Sequence, residues 1–165
     1  MTSDALFGLS ILMSFVAFAI VTRVFVWPRL QALRGTDALI PLMIPHTFRF
    51  LGLSFLVPGV ASPSLSPAFA VPAAYGDLVA AVLADVATLA LAARASWAIP
   101  FVWVFNVWGT GDLLHAIYAG QISVGIDPGS LGATFFIPTV VVPLLLVSHG
   151  IIFWVLLRAK RATGA

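Results

Sequence analysis

Five apolar runs dominate this 165-residue chain, at roughly 5–27, 38–58, 73–94, 97–119 and 132–157. Each is long enough to cross about 30 Å of hydrocarbon as a helix. In lipid the backbone must satisfy its own hydrogen bonds, and no run alternates as a strand would, so all five read as helices. The sequence therefore predicts an all-α integral membrane protein, a single domain over 1–165 built as a five-helix bundle. The charge content supports this: 61% of residues are hydrophobic and 8% charged, with one lysine and no glutamate. A soluble domain, with about 25% charged residues, keeps its surface wet in a way this chain cannot.

Charge placement sets the expected topology. No basic residue precedes the first run, while Arg23, Arg29 and Arg34 lie toward or beyond its end. A cleaved signal peptide wants the reverse order, so a retained first helix is expected. Arg94 falls in the turn between the third and fourth runs, and Arg158, Lys160 and Arg161 lie in the tail. The connections at 59–72 and 120–131 carry no basic residue. The positive-inside rule then predicts an outside N-terminus and a cytoplasmic C-terminus, with the cytoplasmic membrane of a bacterium as the expected location. The net charge of +2 is a topological signal rather than a nucleic-acid footprint. The absence of cysteine excludes disulfides, thiolate catalysis, iron–sulfur clusters and thiolate zinc sites.

Within the second run, IPHTFRF sets Pro45 ahead of His46 and Arg49. The proline lacks an amide proton and crowds the preceding turn, predicting a bend that frees the Pro41 carbonyl. The spacing of three puts His46 and Arg49 on one face. The third run carries a small-residue ridge, Gly76, Ala80 and Ala84, that permits close helix approach. Beside it runs a polar stripe of Asp77, Asp85 and Thr88. Starting that helix at 73 places Asp77 near its outer end, among first-turn amides or headgroups. Pro138 and Pro143 predict a bent fifth helix. The Pro- and Ser-rich connection at 59–72 reads as a cap or a linker.

A rise of 1.5 Å per residue places His46, Asn106, His149 and Asp85 at a depth of about 12–14 Å, with Arg49 at about 17 Å. Asp112 and His115 fall further out. Four helices thus bring polar groups to one layer, and such groups are costly in hydrocarbon. The candidate ligand-binding set is His46, Arg49, Asp85, Trp103, Asn106, Thr110, Asp112 and His149. Arg49 cannot lose its proton, so it needs an anion. Two readings follow: a structural ion pair with Asp85 or Asp112, or a grip on a carboxylate, phosphate or polarised ligand. His46 and His149, matched in depth, permit bis-histidine haem ligation. Asp112 and His115 are spaced to pair at the outer surface.

Three functional classes compete. The first is a bundle that binds, senses or transports a small molecule or ion. The second is a haem- or pigment-binding redox module, and the third a non-catalytic accessory subunit. No arrangement singles out a reaction, so an enzyme is the less favoured reading. Expected partners are the lipid bilayer, a small-molecule or ion ligand, and further copies or a larger membrane complex.

Overall fold

A computed structural model of the chain describes residues 1–33 and 35–163. Arg34 and the side chains of Lys160 and Arg161, three of the basic residues behind the topology argument, lie outside the described residues. What is described is helical. Four helices are long and apolar enough to cross a membrane, Ser3–Ala32, Thr36–Leu56, Pro67–Ala92 and Ile137–Ala159. The remaining long helix, Ala98–Tyr118, has 21 residues.

The first of these is α1 (Ser3–Val21), capped by the Thr2 hydroxyl accepting from the Ala5 amide. It continues through a π-helical turn, Thr22–Val26, into α2 (Trp27–Ala32). The second departs from a simple bent α-helix. After Pro45, α3 (Leu39–Thr47) tightens into a 3₁₀ segment, Phe48–Leu56. A 3₁₀ helix has three residues per turn, so residues three apart eclipse on one face. His46, Arg49, Gly52 and Phe55 are accordingly all buried.

α4 (Pro67–Ala92) starts six residues earlier than expected. Ser66 is its cap residue, in extended conformation, and Pro67 opens the first turn, where a missing amide costs nothing. Its small residues Ala74, Ala80 and Ala84 are fully buried, and α4 is the central element, packed against α3, the 3₁₀ segment and α5 (Ala98–Tyr118). The last helix is broken as its prolines suggest. A 3₁₀ segment, Pro128–Phe135, leads through a π-helical turn, Ile137–Val141, into α6 (Val142–Thr163).

Two apolar clusters hold the bundle. One, at the end containing Trp27, Trp97 and Trp154, gathers Leu39, Met43, Ala87, Val102, Phe105 and Ile152. There the Trp27 and Trp154 rings meet at 4.7 Å, and Arg158 lies 4.9 Å over Trp154. The other, at the end containing the N-terminus, gathers Phe7, Phe55, Leu65, Phe69 and Leu131. The connection at 57–66 is a cap here, not a free linker. Ser62 donates to the Ser130 carbonyl and Ala133 to that of Val60. Gly132 adopts φ 57° against that strand of backbone, where a Cβ would overlap the Val60 carbonyl. The polar residues lie between the two clusters.

Candidate functional site

Arg49 sits at the centre of the site, with a side chain 0% exposed. Its Nε donates to Asp77 Oδ1 at 2.8 Å. Its Nη2 reaches the same oxygen at 2.8 Å and Asp112 Oδ2 at 2.6 Å, and Nη1 donates to the Gly109 carbonyl at 3.1 Å. One guanidinium thus ties the 3₁₀ segment to α4 and α5 in a planar fork suited to two carboxylates.

Three glycines from three segments make room for it. A Cβ at Gly52 would overlap the Asp77 carboxyl, and one at Gly76 the Asp112 carboxyl. At Gly109 a Cβ would stand 2.7–2.9 Å from His149 and from Arg49 Nη1. These are close backbone approaches that only glycine permits.

Beyond Gly109 lies a second polar group. His149 Nδ1 meets Asn106 Oδ1 at 2.6 Å, while Asn106 Nδ2 donates to the His149 carbonyl at 3.3 Å. Together these two bonds set the tautomer of the neutral ring: the amide oxygen can only accept, so neutral His149 carries its proton on Nδ1 and presents a bare Nε2. That Nε2 and both ring nitrogens of His46 are buried with no partner among the described residues. The two imidazoles lie 4.2 Å apart at their centroids, and Phe105 packs on both. Ser148, next to His149, donates to the Leu42 carbonyl at 2.8 Å and pins α6 to α3.

The histidines do meet, as their matched depths suggest. Metal–nitrogen bonds of about 2 Å would separate the centroids of two imidazoles on opposite faces of a haem by about 6 Å. The observed 4.2 Å leaves no room for a macrocycle between these rings.

A cavity of about 460 Å³ leads to the carboxylates from the N-terminal end. Phe7, Ile11, Phe55, Phe69 and Ile137 wall it, Asp4 and Gln121 border it, and Asp77 and Asp112 lie within it. The carboxylates are 11% and 13% exposed, against 0% for the guanidinium. The two aspartate side chains, not the guanidinium, line this space.

Of the residues expected in the site, His46, Arg49, Asn106, Asp112 and His149 come together. Asp85 does not: it is exposed on the outside of the bundle. Thr110 turns its hydroxyl back to the Asn106 carbonyl at 2.7 Å. Trp103 packs on Phe153 at 5.8 Å in the apolar cluster, and Trp108 is 50% exposed. His115 is exposed and makes no hydrogen bond with Asp112. The partner missed from sequence is Asp77. Its signal was the Ser66–Pro67 helix start, which sets Asp77 ten residues deep on α4 rather than four.

A family model described as Domain of unknown function (DUF8737) matches residues 6–157. No curated protein and no solved structure matches the chain.

Proposed function

The chain belongs to the DUF8737 family, and from that premise we propose that it is a five-span membrane protein that takes a small cation or cationic amphiphile at Asp77 and Asp112. The fifth span is α5, whose 21 residues reach about 30 Å at 1.5 Å each. Its polar side chains Asn106 and Asp112 face protein rather than lipid, which removes most of their cost. The outside N-terminus and cytoplasmic C-terminus rest on the arginine distribution.

The observation that carries the ligand class is the asymmetry of exposure. A pocket with apolar walls ends on two carboxylates, and the arginine that holds them is sealed behind them. Three of the five guanidinium N–H groups already donate to acceptors, and Nη2 also lies 2.8 Å from Asp77 Oδ1. An anion entering the cavity meets like charge, whereas a cation meets two aspartate side chains of opposite charge. With both acids ionised, one guanidinium against two carboxylates leaves one negative charge for the ligand to balance. Small apolar pockets with a few convergent polar groups are the usual form of a ligand site. The ligand is then held, sensed or carried across, with Arg49 as the fixed counter-ion rather than the binding group.

Thermal unfolding of the detergent-purified protein against alkylammonium and alkylcarboxylate series tests this. Stabilisation by the ammonium series, lost in Asp112→Asn, is expected. Stabilisation by the carboxylates instead, or a haem Soret band in the purified protein, overturns it.

A further inference from the structure

α4 carries a second mid-helix acid that the site does not use. Asp85 lies seven residues before the helix end at Ala92, about 10 Å in at 1.5 Å per residue. It is exposed between Val82, Val86 and Leu89, themselves 54%, 36% and 70% exposed. Among the described residues no hydrogen bond or ion pair reaches it. A carboxylate in hydrocarbon is costly and is normally found facing a partner or water.

The chain also holds an arginine in the complementary position. Arg23 lies in the π-helical turn Thr22–Val26, nine residues before Ala32, about 14 Å from the same end of the bundle. It is exposed and no carboxylate pairs with it among the described residues. Its neighbours in charge are engaged elsewhere, Arg29 with the Phe25 carbonyl at 2.8 Å and Arg158 with the Trp154 ring. Thr22, Trp27, Gln31 and Val147 border an open groove of about 690 Å³ beside Arg23.

Arg23 and Asp85 do not meet within one chain. α1 packs on α6 and on Ile137–Val141, while α4 packs on α3, the 3₁₀ segment and α5. The two charges are opposite in sign, matched in depth to about one helical turn, and set on different faces. α1 moreover leaves Leu9, Leu12, Met13, Val16 and Ile20 exposed along its length. We infer that the protein self-associates in the membrane head to tail, α1 of one copy against α4 of the next, with Arg23 of one paired to Asp85 of the other. Two different patches in contact make a heterologous interface, which closes into a ring when the rotation permits. Neither Arg23 nor Asp85 belongs to the cation site at Asp77 and Asp112.

The cysteine-free chain makes the test direct. Arg23→Cys and Asp85→Cys versions, differently tagged, are co-expressed and treated in membranes with a short thiol-to-thiol cross-linker, since the ion pair spans more than a disulfide can. Linked dimers that contain both versions, well above those formed by either alone, are expected. Dimers from Asp85→Cys alone, or none at all, overturn the arrangement. Charge reversal adds a second readout by native mass spectrometry from nanodiscs. R23D and D85R are each expected to be monomeric and the R23D/D85R double variant oligomeric; assembly unchanged in the single variants overturns the proposal.

Discussion

Asp77 and Asp85 sit on one helix, eight residues apart, in environments that could hardly differ more. At about 100° per residue they point about 80° apart around α4. Asp77 turns into the bundle, where Arg49 and the gap left by Gly52 receive it. Asp85 turns out between valines and a leucine and meets nothing among the described residues of its own chain. An acid in a membrane bundle thus has two ways to be useful: it can organise an interior, or it can wait at a surface. Their substitutions should behave as differently as their surroundings.

The largest contrast is expected between Arg49→Met and Asp85→Asn. Losing the guanidinium leaves two enclosed carboxylates without a counter-ion, and breaking such a group costs about 3–5 kcal/mol. In mild detergent that is a large fall in Tm or no folded protein. Asp85→Asn, on the surface, should shift the stability of the same detergent-solubilised protein by no more than about 0.5 kcal/mol. Equal losses in the two variants would erase the distinction between interior and surface.

A second contrast lies within α5. Gly109→Ala drives a methyl into His149 and Arg49, and overpacking of this kind costs about 1–3 kcal/mol. Gly111→Ala, two residues on, meets open space and should be neutral or slightly stabilising, because alanine is the better helix former by up to about 1 kcal/mol. Thermal unfolding of the two variants side by side checks this; a harmless Gly109→Ala would show the site to be looser than its contacts imply.

Asn106→Ala should cost about 1–2 kcal/mol, since it strands the His149 Nδ1 proton in a buried position. Its sharper signature is the His149 tautomer, read by ¹⁵N chemical shifts, which should no longer be fixed at Nδ1–H. The smallest effect is expected from Ser148→Ala. Its bond to the Leu42 carbonyl joins α6 to α3, and interhelical hydrogen bonds in membrane bundles average about 0.6 kcal/mol.

Much of this arrangement was legible in the chain. Depth along a helix is a matter of counting, so the common layer of His46, Arg49, Asn106 and His149 could be read from residue numbers. The shared face of His46 and Arg49 was legible too, because a spacing of three lies on one side of an α-helix and more strictly so on the 3₁₀ segment that forms. Asp77 was misjudged for a local reason: a helix start taken at 73 rather than at Pro67 left it at the membrane surface. Asp85 was misjudged for a different one. Counting residues gives its distance from the helix end, and that distance carries no information about rotation toward a neighbour.

The sequence by itself determined that this chain is helical and made for lipid, because apolar length and the rarity of charge leave the backbone no other way to satisfy its hydrogen bonds. It also determined that a few ionisable groups would be stranded deep within the bundle. Only the tertiary structure decided which of them meet. Partner choice depends on which helices are neighbours and how closely they approach, and here three glycines at 52, 76 and 109 let one arginine reach two carboxylates and a carbonyl across three segments.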